Sequence, residues 1–212
     1  MRRRYIDGKF KENGTDLDTI LLLHFDNNVI DSTGNSVWQS RGSVSYSPDC
    51  KFGSRSIGFS NSDIMTTNEK IRPTNKNWTI DWWDKKIGTP NGWVFHSESS
   101  PDIMWGLQIG IQSDGSFRFE LSNGPKLSIG HMTDQWRHVA VVCSDDIITI
   151  YINGESTIYG QYSGSLPPFK RNKIGYYNQT VGGFLVDEFR ISNIDRWNSD
   201  FTPSDIPYSY ET

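Results

Sequence analysis

Apolar residues in this chain recur at every second position, and no long stretch repeats them at the three-and-four spacing of a helix. Thr19 to Phe25 is almost continuously apolar, which predicts a strand buried on both faces. Trp78 to Trp83 alternates, placing Trp78, Ile80 and Trp82 on one face. Leu107, Ile109 and Ile111 alternate up to Asp114-Gly115, and Phe117, Phe119 and Leu121 follow, so a hairpin is expected. Asn123-Gly124 makes the next turn, with Leu127 and Ile129 continuing the meander. Between 136 and 162, Trp136, His138, Ala140 and Val142 share one face, and Arg137, Val139, Val141 and Cys143 the other. After Asp145-Asp146, residues Ile148, Ile150 and Ile152 align. Asn153-Gly154 then supplies a two-residue turn that needs positive φ. Phe184 to Ser192 is a last strong strand, and Pro203 and Pro207 punctuate an extended tail.

About a dozen short strands separated by Gly, Asn, Asp, Ser or Pro predict an all-β fold, a two-sheet antiparallel sandwich or jelly roll. The length of 212 residues fits one large domain or two small ones. Residues 1–15 read as an N-terminal arm or linker and residues 16–212 as a single domain. Mean hydropathy is −0.57, yet aromatic residues make up 13%, which excludes disorder for the bulk of the chain. No apolar run reaches the roughly 18 residues of a membrane helix. Arg2-Arg3-Arg4 leads into a polar stretch, so no signal peptide is expected and neither is membrane insertion.

Charge narrows the partners. The net charge of −4 hides a basic first dozen residues, five Lys/Arg against two Asp/Glu, read as a solvated tail. No basic stripe crosses the rest, which argues against nucleic acid. Cys50 and Cys143 stand apart, with no Cys-x-x-Cys and no Cys/His cluster, so two free thiols are expected and zinc is not.

Four segments, in order, resemble the laminin-G-like branch of the concanavalin A-like jelly rolls. They are Leu21 to Asp26 with Asp31 to Asn35; Lys51-Phe52-Gly53 and Ser56 to Phe59 with Trp78 to Trp83; Trp136 to Val141 with Tyr151 to Gly154; and Val186 to Ser192 with Arg196-Trp197 and Phe201-Thr202-Pro203. The closing segment looks like versions in tailed-phage tail and structural proteins. The resemblance spans about residues 17–208 and implies a sandwich with one concave face. It also implies glycan or protein ligands, often with calcium, and some relatives of this fold are polysaccharide hydrolases. Asp84 departs from the family pattern, which has an apolar residue after the aromatic pair. Either the strand ends early or Asp84 faces a solvated groove.

Retaining hydrolysis needs two carboxyls about 5–5.5 Å apart, which alternate positions of one strand supply. No Glu here has Asp two residues later, Asp187 and Glu188 are adjacent and so point to opposite faces, and no Gly-x-Ser-x-Gly occurs. A non-catalytic module is the reading. Sugar rings stack their C–H faces on Trp and Tyr while amides take hydroxyls. Candidates are Trp83, which points away from Trp82, Trp105 beside a polar loop, and Tyr177 and Asn178 in Tyr-Tyr-Asn-Gln. For each, ordinary packing is the alternative. For calcium, Asp26 and Asp31 flank a polar turn, and Asp187 would join them if the first and last strands are neighbours, as the resemblance implies. Trp78, Trp82 and Trp136 read as core, and His138 as a packed strand residue.

The expected role is carbohydrate-binding adhesion, on a phage tail or other virion protein, or associated with the bacterial cell. Cell-surface or capsular glycan is the expected partner, with other virion proteins as further contacts. A decoration domain without sugar affinity and a divergent hydrolase are the alternatives.

Overall fold

The computed structural model describes residues 16–60, 62–66, 71–98, 106–122, 124–162, 166, 169–175 and 182–208. Among them are fourteen strands and no helix. The first five are β1 (Thr19–Leu23), β2 (Gln39–Arg41), β3 (Ser45–Ser47), β4 (Ser56–Gly58) and β5 (Asp63–Thr66). The long β6 (Trp78–Glu98) precedes the meander β7 (Leu107–Ile111), β8 (Ser116–Leu121) and β9 (Lys126–His131). Then come β10 (Arg137–Ser144), β11 (Ile147–Ile152), β12 (Glu155–Gln161), β13 (Arg171–Ile174) and β14 (Gly182–Ser192).

All pairings are antiparallel, and they make two layers that share β6. The first sheet runs β12-β11-β10-β6-β14, with β1 and β4 on the far side of β14 and β3 beyond β4. The second runs β9-β8-β7-β6-β13-β5-β2. β6 is 21 residues long because it bends across 87–91 and continues from one layer into the other. The expected sandwich and the adjacency of first and last strands are both present.

Period-2 alternation decides which side chains fill the space between the layers. Trp78, Ile80 and Trp82 from β6, Val139, Val141 and Cys143 from β10, and Ile148 and Ile150 from β11 point inward from the first sheet. Leu107, Ile109, Ile111, Phe117, Phe119 and Leu121 meet them from the second. The Trp82 ring lies 5.6 Å from Phe117 and 6.2 Å from Phe189, so aromatics bridge the layers. Turn chemistry acts as expected: Asp145 and Asp146 have φ of 47° and 65°, and Asn153 and Gly154 have 52° and 86°. Both cysteines are free thiols, and burial pushes Cys143 up to about 11.

Three expectations need correction. Trp136 is not in the inter-sheet core; it lies on the outer side, half-buried, its Nε1 donating to Asp49 Oδ1 at 3.0 Å. Asp84 neither ends its strand nor faces solvent. It is fully buried, accepting from Arg137 Nε at 2.6 Å and from Trp82 Nε1 at 3.0 Å. Where the resemblance implies an apolar residue, this chain holds a buried ion pair, Arg137 also donating to His131 O. Asp187 and Glu188 do not oppose each other, because a bulge with Glu188 at φ 51° interrupts β14. Both carboxylates therefore reach the outer side, where Asp187 meets the 51–52 backbone and Glu188 the amide of Tyr208.

Candidate functional site

Loop 51–55 connects two of the three acidic candidates. Asp187 Oδ2 accepts from the backbone N–H groups of Lys51 at 2.8 Å and Phe52 at 3.1 Å, and its Oδ1 from Glu188 N at 3.0 Å. Asp26 Oδ1 accepts from the N–H groups of Ser54 and Arg55 and from the Ser54 hydroxyl. A side chain at Gly53 would run into the Asp26 carboxylate at 2.4 Å, so only glycine fits there. Asp31 is turned elsewhere, accepting from Leu22 N, Thr33 N and Ser36 N. Each carboxylate thus serves backbone donors, and among the described residues no three His, Cys, Asp or Glu side chains are grouped to hold a metal ion. As placed, the trio does not fit calcium, which needs six to eight converging oxygens.

Trp83 is on the outward face of the first sheet, as its alternation with Trp82 requires, but it is buried and offers no platform for a sugar. Phe52 meets its ring edge-on at 5.7 Å, His138 lies at 5.3 Å, and Lys51 Nζ sits 4.2 Å over it. Trp105, Tyr177 and Asn178 lie outside the described residues.

The chain itself occupies the outer face of the first sheet. Residues 193–208 cross it as a strap, with Trp197 and Phe201 stacked on each other at 4.0 Å and packed on Ala140, Val142 and Tyr151. Below lies a buried charged network. Arg190 donates to both oxygens of Asp81 at 3.0 and 2.8 Å and lies 3.8 Å from the Tyr208 ring centre. His138 Nε2 is 2.7 Å from Tyr208 Oη and 3.4 Å from Asp81 Oδ2. Burial would raise the Asp81 carboxyl, but the Arg190 charge and the hydrogen bonds from His138 and Arg190 outweigh it and hold it well below the usual range. His138 is a packed network member, as expected.

The outer face of the second sheet is different in kind. Strand register aligns Lys126, Glu120, Gln108, His96, Lys173 and Met65 in one row across six strands. Gln108 Nε2 donates to His96 Nδ1 at 2.9 Å. Lys173 and Arg171 pair with Glu98, and Arg41 with Asp63. At one end of this face a cavity of about 310 Å³ opens, lined by Asn91, Trp93, Gln112, Ser113 and Arg118. Its volume is at the lower end of small-molecule sites. Trp93 is buried against β7, since a Cβ at Gly110 would be 2.5 Å from the indole, and the Arg118 guanidinium lies over the ring, 5.0 Å from its centre. Gly175, just after β13, donates its N–H to Trp93 O at 2.9 Å. Amides, a hydroxyl and a cation around one cavity can hold a polar ring with hydroxyl or acidic substituents, while Trp93 itself is buried and supports Arg118.

Burial, followed by the charge of Lys173, lowers His96 to about 4, so the ring is neutral at physiological pH and accepts from Gln108. The sign is fixed by linkage. The unfolded chain binds a proton near 6.5 that the folded chain refuses until about 4, so His96 withdraws up to roughly 3 kcal/mol of stability as pH falls through that window. Asp187, which burial and then the Glu188 charge raise to about 7 against its backbone donors, acts oppositely and loses stability as pH rises from about 4 to 7. The His96 effect is therefore expected in the difference between wild type and His96→Asn. Denaturant melts at pH 4.5 and 7.5 should show the variant gaining relative stability at the acid end; parallel profiles would contradict the assignment.

For catalysis, Glu98 is poorly suited as a general acid. Burial works to raise it, but the Lys173 hydrogen bond and the charges of Lys173 and Arg171 leave it below its ordinary value.

Residues 59–203 match the Concanavalin A-like lectin/glucanases superfamily in its laminin G form, and the chain belongs to that superfamily. No curated protein matches the sequence. Among solved structures, the receptor-binding domain of botulinum neurotoxin mosaic serotype C/D is similar, at 18% identity and a TM-score of 0.67, over 90% of this chain and 50% of that one. The binding domain of botulinum neurotoxin DC, solved with rat synaptotagmin II, is 17% identical with a TM-score of 0.64, over 84% and 48%. Botulinum neurotoxin type C, whose cell entry is described as dependent on two ganglioside molecules, is 18% identical with a TM-score of 0.63, over 84% and 48%. The chain spans about half the length of these proteins, and at such identity the likeness is one of fold. Among the described residues no helix is long and apolar enough to cross a membrane.

Proposed function

We propose that this chain is a non-catalytic carbohydrate-binding module that takes its ligand on the outer face of the second sheet, at the cavity beside Trp93. One observation carries the reading: the two outer faces are built for different work. The first is filled with apolar and aromatic side chains by the strap and loop 51–55, whereas the second carries a row of largely buried polar side chains that ends in a cavity lined by amides, a hydroxyl and Arg118. The hydroxyls of a saccharide ask for such amide, hydroxyl and cationic partners. The ganglioside dependence described for botulinum neurotoxin type C supports a glycan ligand for the fold, and the synaptotagmin complex a protein one. The polar lining favours the glycan.

The setting belongs to the same proposal. The resemblance of the closing segment, Arg196-Trp197 and Phe201-Thr202-Pro203, to tailed-phage tail proteins supports a virion setting, in which the module would hold the particle to a host surface glycan, with a bacterial cell-associated setting as the alternative. Labelling of purified particles with an antibody to the chain tests that placement.

A glycan array carrying bacterial and plant polysaccharides tests the binding. Specific signals support the reading; a blank array moves it to a protein-interaction domain. Running the array and a thermal melt with EDTA and with millimolar calcium separates a bound ion from carboxylates that serve only the backbone. The hydrogen bonding of Asp26, Asp31 and Asp187 predicts an unchanged melt; a Tm that falls in EDTA would place calcium in the native state.

A further inference from the structure

Arg118 gives the cavity a chemical preference. The side chain is about one-third exposed, yet it is placed from two sides: the Trp93 ring lies 5.0 Å beneath its guanidinium, and Glu120 Oε1 lies 3.1 Å from Nε. A cation stacked on an indole loses less freedom when it meets an anion than a free arginine does, and its planar fork matches the two oxygens of a carboxylate or sulfate. Asn91, Gln112 and Ser113 supply amide and hydroxyl groups around the same space. The wider face agrees. The chain carries a net charge of −4, but the strands of the second sheet hold five Lys/Arg (Arg41, Arg118, Lys126, Arg171, Lys173) against three Asp/Glu (Asp63, Glu98, Glu120). A positive surplus on one face of an acidic protein attracts anions to that face.

We infer that the cavity beside Trp93 is a subsite for the acidic group of a saccharide, a carboxylate or a sulfate ester, with Arg118 as the residue that selects it. The inference rests on the carbohydrate-binding reading above. Selection works by pairing the Arg118 fork with two anionic oxygens while the ring hydroxyls meet Gln112, Ser113 and Asn91. Neutral sugars bring no second anion to the guanidinium beyond Glu120 and bind more weakly.

The test uses the full chain on an array with three sets of oligosaccharides: neutral, carboxylated (uronic and sialic acids) and sulfated. Wild type, Arg118→Gln and Arg118→Lys are compared, with Tm checked for each. The expected result is binding confined to one or both acidic sets, weakened at least tenfold in Arg118→Gln at unchanged Tm, and intermediate in Arg118→Lys, which keeps the charge but loses the fork. The carboxylated and sulfated sets identify the group. Binding to neutral glycans alone, or acidic binding that Arg118→Gln leaves unchanged, overturns the inference while leaving carbohydrate binding in place. No binding to any set overturns the carbohydrate reading, and the subsite with it.

Discussion

Asp81→Asn is expected to cost about 3–5 kcal/mol of folding stability, the cost of breaking a buried pair from one side. For a chain of this size that is a fall in Tm of roughly 6–20 °C. The cause is Arg190, which is 8% exposed and gives two hydrogen bonds to the Asp81 carboxylate. An amide offers one acceptor where two were used and no charge, so the guanidinium stays buried without its counter-ion. Loss should not scale with the number of charges removed. Asp81→Leu combined with Arg190→Met is expected to lie closer to wild type than either single change, because apolar side chains of similar volume replace both ions. Chemical denaturation of the four proteins reads the cycle. Additive single losses would show that the pair does not act as a unit.

Ending the chain after Asn193 is expected to abolish the native state. The deletion removes Trp197, Phe201 and Tyr208 and bares Ala140, Val142, Tyr151, Leu22 and Trp83, all buried under them. It also removes Arg196, whose guanidinium donates to both oxygens of Asp16, and so unties the start of the domain. Losing one buried large aromatic already costs about 3–5 kcal/mol, and three exceed a domain's usual margin of 5–15 kcal/mol once the exposed sheet is counted. Near-ultraviolet circular dichroism without fixed aromatic signals, together with dye binding to exposed apolar surface, is the expected readout. A truncated chain that melts cooperatively near the wild-type Tm would show the strap to be dispensable. Gly154→Ala probes the same contact more gently. The residue sits at φ 86°, and a Cβ there would be 1.8 Å from the Phe201 carbonyl oxygen that the strap brings to the hairpin tip.

What the sequence shows clearly is what local chemistry decides. The hairpin at Asn153-Gly154 and the turn at Asp145-Asp146 need positive φ at neighbouring residues, and those residue types supply it. The faces of β7 and β8 follow from parity: Leu107, Ile109 and Ile111 inward put Gln108 and Gly110 outward, and Phe117, Phe119 and Leu121 do the same for Arg118 and Glu120. Half of the candidate face was therefore readable. Trp93 and His96 were not, because Lys85 to Gly92 holds two glycines and a proline and resembles a break, whereas β6 bends there and carries on into the second layer. Asp187 and Glu188 were misplaced because a bulge adds one residue, and strict alternation cannot show it. The carboxylates of Asp26 and Asp187 pointed to a metal because their partners, the amides of 51–55, are far away in the chain. Trp83 failed as a sugar platform for a similar reason: its alternation was right, but its cover comes from Phe52 and Tyr208.

The binding surface is the central claim, and hydrogen–deuterium exchange of the full chain, with and without the glycan giving the strongest array signal, tests it most directly. Protection is predicted in peptides covering 91–98 and 107–121, the strands that carry Trp93, His96, Gln108 and Arg118, with 193–208 unchanged. Protection confined to the strap or to loop 51–55, or none anywhere, would contradict it.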